Sequence, residues 1–335
     1  MIDLRSDTLT KPGTAMMEAM MRAPLGDDVF GEDPTVEALE NKISALFGKD
    51  AGLFCPSGTM TNQIAIRVLT QPQDEVICHK HSHVYLYEGG GLMANSQVSV
   101  ALLEGPHGLL SADEVEKAIN SDDIHRPVSR VVVLENTMNK GGGTIYPLQQ
   151  IREIFDMASR RGLSMHLDGA RLFNALVETG DDPKKYGELF DTISICLSKG
   201  LGCPVGSVLI GSVEIIRKAR RVRKMLGGGM RQAGLLAAAG IYALDYNVER
   251  LKSDHLRARV LGETLRTLSW VEEVYPIPTN IVIFRTSLPD ALTRLKEAGI
   301  LGLPFGPGLI RLVTHLDFDD FGLEQAIRVM KRFCP

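Results

Sequence analysis

Residues 191–211, DTISICLSKGLGCPVGSVLIG, deliver a lysine between two short apolar runs that carry no charge of their own. Thr192, Ile193, Ile195 and Leu197 predict one buried strand, and Val205, Val208, Leu209 and Ile210 predict its neighbour. Lys199 then sits on the connection between two core strands, flanked by Ser198 and Gly200. An amine in that position either snorkels to water or stays partly desolvated and acts as a nucleophile toward a carbonyl carbon.

A segment 31 residues upstream bears on that choice. Residues 163–167 predict a strand that ends on Asp168 and turns through Gly169 into a helix near residue 170. Asp168 and Arg171 thus stand at the carboxyl end of a strand, where open α/β sheets form their ligand crevices. An acid there caps a helix, or, together with Lys199, it keeps the ring nitrogen of pyridoxal phosphate protonated while the lysine takes the aldehyde carbon. Arg171 is positioned to meet the ring oxygen or a substrate carboxylate.

Several motifs in a fixed order carry a resemblance over essentially the whole chain: DLRSDT at 3–8, GDDVFGEDPTV at 26–36, LDGAR at 167–171, CLSKG at 196–200, GGGMRQAG at 227–234 and IRLVTH at 310–315. The chain resembles the fold type I pyridoxal phosphate enzymes and, more narrowly, the low-specificity L-threonine aldolases. The resemblance implies an α/β fold: an aspartate aminotransferase-like large domain with a mostly parallel seven-stranded sheet, plus a smaller C-terminal α/β domain. The expected division is an N-terminal arm and loop over the active site at 1–30, a large domain at 31–245 and a small one at 246–335. The implied activity is cleavage of L-threonine and L-allo-threonine to glycine and acetaldehyde. The alternatives are a lyase for phenylserine or β-hydroxyaspartate, a serine hydroxymethyltransferase-like activity, and, in another class, a non-catalytic pyridoxal phosphate-binding regulatory protein. A nicotinamide enzyme is disfavoured, because no GxGxxG follows an early strand.

Further site residues are read both from local chemistry and from the resemblance. Ser57-Gly58-Thr59 is a strand-to-helix turn whose free amides suit a phosphate, with simple N-capping as the other reading. His83 precedes the apolar run Val84-Tyr85-Leu86 at a strand end, and the resemblance stacks it on the cofactor ring, with proton transfer at the substrate hydroxyl as a second role. His125, in the loop before Pro127, is implied to approach the same hydroxyl. Ser6 and Arg311 are implied to bind the substrate carboxylate, Arg311 through its planar fork of donors. Phe30 stands where the family often has tyrosine and is expected to line the substrate pocket without a hydroxyl. Arg231 is the candidate for a phosphate contact from the neighbouring subunit, since the resemblance implies a homotetramer built from dimers with shared active sites.

Composition bounds the partners. A formal net charge of −4 gives no reason to expect nucleic acid or an acidic membrane, so the partners expected are small amino acids. The five cysteines form no CxxC pair and predict reduced thiols. His79, His81 and His83 alternate without a nearby cysteine or paired carboxylates, so no metal is expected. Asp3, Arg5 and Asp7 interrupt any signal-peptide core, and no window reaches 18 consecutive apolar residues. A cytoplasmic location is the resulting expectation.

Overall fold

The computed structural model describes residues 1–332; Cys334, one of the expected thiols, lies outside them. Its strands are β1 (Ile2–Asp3), β2 (Ala51–Cys55), β3 (Asp74–His79), β4 (Ser99–Leu103), β5 (Val128–Glu135), β6 (Ser164–Gly169), β7 (Thr192–Cys196), β8 (Ser207–Gly211), β9 (Val271–Val274), β10 (Ile281–Thr286), β11 (Ile300–Leu301), β12 (Leu303–Gly306) and β13 (Leu309–Val313). The seven-stranded sheet has the order β2-β8-β7-β6-β5-β3-β4. Only β8 runs against its neighbours; the other pairings are parallel.

The two apolar runs around Lys199 are therefore adjacent strands, as their composition predicts. Every residue of β7 and of β8 is buried, because helices cover both faces of a parallel sheet and leave no side for polar alternation. The helix Leu148–Arg160, for example, turns Ile151, Ile154, Met157 and Ala158 inward. Local signals mark helix starts as well. Ser111 and Glu114 form the expected capping box at the helix Ala112–Ala118, and Asp33 caps Pro34–Leu46 by accepting from the amides of Thr35 and Val36.

The smaller sheet has four strands in the order β12-β13-β10-β9. Sequence patterning predicts three of them, at residues 271–275, 280–285 and 309–314, and misses β12, because Pro304 and Gly306 read as strand breakers. An edge strand tolerates both, and β12 is an edge. The chain start joins this lobe. β1 pairs in parallel with β11, and Leu4 is fully buried with Trp270, Phe284 and Leu312 in the small-lobe core. Residues 5–10 then cross to the large lobe, where the Thr10 hydroxyl donates to the Lys199 carbonyl at 2.9 Å. The helix Leu251–Arg266 ties the lobes together, placing Leu251 in the large core and Ala258, Leu261 and Leu265 in the small one. Among the described residues no helix is long and apolar enough to cross a membrane.

Candidate active site

β3, β5, β6 and β7 all point their carboxyl ends at one edge of the large sheet, and the small lobe faces that edge. Lys199, Arg171, Arg311, His83 and Ser6 line a cavity of about 310 Å³ there, with Tyr87, Asn139, Lys140 and Phe305 on its remaining walls. Lys199 reaches it from the connection after β7, and Arg311 from β13 of the small lobe.

Arg311 is held from two sides. Its Nη1 donates to Asn139 Oδ1 at 2.9 Å and its Nη2 to the Arg5 carbonyl at 3.1 Å, while its buried Nε has no hydrogen-bond partner among the described residues. Arg171 commits Nε and Nη2 to the two carboxylate oxygens of Asp7, at 2.7 and 2.6 Å, which leaves Nη1 as the nitrogen available to a ligand. Burial alone would raise the Asp7 carboxyl, but the Arg171 guanidinium outweighs it and holds the acid far below the usual carboxylate range.

Asp168, at the end of β6, is buried and sits in a chain of hydrogen bonds that fixes its orientation. Its Oδ1 accepts from the Ala170 amide at 3.1 Å and its Oδ2 from Asn62 Nδ2 at 2.9 Å. The same Asn62 nitrogen donates to Glu88 Oε1 at 2.8 Å, so one amide bridges two carboxylates. Behind it, His166 Nε2 lies 3.0 Å from Asn62 Oδ1, and His166 Nδ1 lies 2.8 Å from the Thr192 hydroxyl. Burial pushes His166 down to about 4, so the ring is neutral at pH 7. The partners then assign it as an Nε2–H donor to Asn62 that accepts from Thr192.

His83 opens the short helix His83–Leu86, where sequence patterning had only a strand end. Its Nδ1 lies 3.0 Å from Glu88 Oε1, leaving Nε2 open to a ligand. Burial opposes protonation of this ring, but the Glu88 hydrogen bond and the nearby Asp168 and Glu135 outweigh it and lift the imidazole above its ordinary value. Glu135 accepts from the amides of His83 at 2.8 Å and Asn139 at 2.9 Å. Burial, with the repulsion of Asp168, pushes its carboxyl up to about 7. Ligand atoms of His83, Glu88 and Asp168 also lie within 4.8 Å of one another, a grouping that sequence spacing does not reveal. Amide donors already point at both acids, since Gln63 Nε2 donates to Glu88 Oε2 at 2.5 Å, Asn62 Nδ2 to Glu88 Oε1 and Asp168 Oδ2, and the Ala170 amide to Asp168 Oδ1.

Ser57 caps the helix Gly58–Leu69 by accepting from the Met60 amide, which leaves the amides of Gly58 and Thr59 free for an anion. This turn lies against the strands that carry Lys199: a Cβ built on Gly58 would stand 3.5 Å from Ser207 Oγ and 3.9 Å from Cys196 Cβ. The buried Ser207 hydroxyl has no hydrogen-bond partner among the described residues.

Asp168 and the Ser57-Gly58-Thr59 turn stand behind the cavity lining and not in it, while three further expected residues, His125, Arg231 and Phe30, lie on the surface of the single chain. His125 has a side chain 83% exposed and pairs with Asp123. Arg231 has a side chain 55% exposed and pairs with Asp27 at 3.1 Å. Phe30 is 73% exposed and borders a separate cleft of about 740 Å³ with Glu40, Arg220 and Lys224. All three lie on surface segments, and nothing in the sequence says which way such segments face. Conversely, Asp7, Asn62, Glu88, Glu135, Asn139 and His166 are not picked out as site residues by sequence. A hydrogen-bonding residue at a strand's carboxyl end is the available signal for Glu135 alone.

A family model described as beta-eliminating lyase matches residues 3–287. The low specificity L-threonine aldolase of Escherichia coli (strain K12) is 43% identical over 320 residues, covering 95% of this chain and 94% of that one. The chain belongs to the threonine aldolase family. A probable low-specificity L-threonine aldolase 2 of Arabidopsis thaliana is 40% identical over 342 residues, covering 99% and 96% of the two chains. A threonine aldolase of Leishmania major superposes with a TM-score of 0.86 over 99% of each chain at 22% identity, a likeness of fold. The large sheet and small C-terminal lobe of this threonine aldolase are thus the aspartate aminotransferase-like, fold type I architecture. Pyridoxal phosphate is the cofactor of that architecture, and the residues here fit it. An oriented buried carboxylate, an amine on the facing loop, and free amides beside an orphaned hydroxyl match its ring nitrogen, aldehyde and phosphate.

Proposed function

We propose that this threonine aldolase cleaves the Cα–Cβ bond of L-threonine and L-allo-threonine to release glycine and acetaldehyde. The observation that supports it best is the convergence of Lys199, the Arg311 guanidinium and the open Nε2 of His83 in one cavity. Lys199 would hold the cofactor's aldehyde carbon, Asp168 its ring nitrogen, His83 its ring face, Arg171 Nη1 its ring oxygen, and Ser57, Gly58 and Thr59 with Ser207 its phosphate. When bound, the cofactor supplies an acceptor for the electron pair left at Cα as the bond breaks.

The chain's own groups do the rest. Arg311 and Ser6 fix the substrate carboxylate, which sets the direction in which Cβ points. His83 Nε2 takes the proton of the β-hydroxyl, and Glu88 at Nδ1 favours the imidazolium that results. Asn62, held by neutral His166, orients Asp168 and Glu88 by donating to both. Discrimination at Cβ rests on one methyl in a partly apolar pocket, worth about 1–3 kcal/mol, so both threonine diastereomers are substrates.

The proposal includes a homotetramer built from dimers in which His125, Phe30 and Arg231 serve the site of a second subunit. Their exposure, and a cavity lining in their own chain that does not include them, support that arrangement. Purified protein loaded with pyridoxal phosphate should release acetaldehyde from either diastereomer, and no acetaldehyde from both would sink the reading. Mixing Lys199→Ala and Arg231→Ala chains should restore activity after subunit exchange if Arg231 acts across an interface.

A further inference from the structure

Lys140 is the cation of the cavity that this reaction leaves unused. Its ammonium has no carboxylate or hydrogen-bond partner among the described residues. It rests 4.2 Å from the Phe305 ring centroid and 5.8 Å from that of Tyr87. The Arg311 guanidinium lies 5.6 Å from the same Phe305 ring, so one aromatic face borders two cations. Lys140 also borders a neighbouring cleft with Glu104 and Glu273, but those acids pair with Lys80 at 2.5 Å and Arg285 at 3.6 Å.

The lysine sits on a constrained turn. Met138 donates its amide to the Thr144 carbonyl and receives those of Gly141 and Gly143. Asn139 hangs from Glu135 through its amide and accepts from Arg311 through its side chain. The Thr279 hydroxyl of the small lobe closes the turn on the Gly143 carbonyl at 3.2 Å. The same short segment thereby sets the relative position of Arg311 and Lys140.

Along the wall the order is His83, Tyr87, Lys140, with the His83 and Tyr87 rings 5.6 Å apart. A β-carbon whose hydroxyl meets His83, on a substrate whose α-carboxylate meets Arg311, presents its remaining substituent past Tyr87 toward Lys140. A methyl group gains nothing from an ammonium there. A carboxylate does, in a site where both charges are partly desolvated.

We infer that Lys140 and Phe305 form a subsite for a second carboxylate, so that the enzyme takes β-hydroxy-α-amino dicarboxylic acids of the 3-hydroxyaspartate class; this rests on reading the cavity as a site of Cα–Cβ cleavage. The step balances without a further reactant. The hydroxyl proton passes to His83, Cβ becomes the carbonyl carbon of glyoxylate, and the bonding pair stays with Cα, which takes a proton to give glycine.

The test measures dissociation constants of L-aspartate and L-alanine on the cofactor-loaded enzyme, since neither has a β-hydroxyl and neither can be cleaved in this way. Aspartate should bind about tenfold or more tightly than alanine, the scale of one charge-assisted hydrogen bond. Lys140→Met should abolish most of that ratio, and Lys140→Arg should retain it. A general loss of structure lowers both affinities and not their ratio. Equal affinities in the wild type, or a ratio that survives Lys140→Met, overturn the subsite. Acetaldehyde from threonine with no glyoxylate from 3-hydroxyaspartate overturns the substrate class. An intact aspartate preference with no acetaldehyde from threonine overturns the cleavage reading instead and leaves the dicarboxylate subsite standing.

Discussion

Asp7 and Arg171 lie 164 positions apart in the chain and form a two-point ion pair, at 2.7 and 2.6 Å, with both side chains almost wholly out of water. The pair ties the segment that enters from the small lobe to the carboxyl end of β6. It thereby sets the guanidinium whose remaining nitrogen is proposed to meet the cofactor's ring oxygen.

Removing one member leaves the other charge buried without a partner. Asp7→Ala should cost about 3–5 kcal/mol of stability, read as a lower denaturant midpoint; an unchanged midpoint would mean that the pair contributes nothing. The Asp7 carboxyl is depressed in the folded chain. Its contribution is therefore complete above the unfolded value of about 3.9 and is lost as the pH falls below that toward the folded value. Wild type and variant should converge in stability at strongly acid pH.

His83 must be neutral to accept a proton, so kcat/KM should rise with pH through its raised pKa. The Glu88 hydrogen bond is the main contact raising it. Glu88→Gln should therefore move the acid limb of the profile to lower pH, and His83→Phe should lower kcat by about 10²–10⁴. An acid limb that stays in place in Glu88→Gln, checked by NMR titration of the His83 ring, would dissociate that limb from this imidazole.

Gly58 separates folding from cofactor binding. A methyl group there meets Ser207 Oγ at 3.5 Å, an ordinary contact, so Gly58→Ala should melt close to the wild type. The same methyl enters the space where the backbone and the Ser207 hydroxyl would meet a phosphate. Losing one such charge-assisted contact should weaken pyridoxal phosphate about tenfold or more, measured by absorbance titration of the apoprotein. Wild-type affinity would place the phosphate elsewhere.

The site residues legible from sequence lie where chemistry and local punctuation coincide. Lys199 follows a buried strand and precedes a glycine, Asp168 ends a strand before a glycine turn, and Ser57-Gly58-Thr59 joins a strand to a helix. Each can be read within about ten residues, because strand ends and helix caps are set by near neighbours. Which partners those groups have follows from the packing of distant segments. Asn62 meets Glu88, Asp168 and His166 through the packing of the helix Gly58–Leu69 on the sheet, and Arg171 meets Asp7 through the crossing of the chain start. Such contacts depend on strand order and register summed over the whole fold. The exposure of His125, Phe30 and Arg231 has the same origin: a motif specifies a side chain, while the direction it faces is a property of the assembled surface.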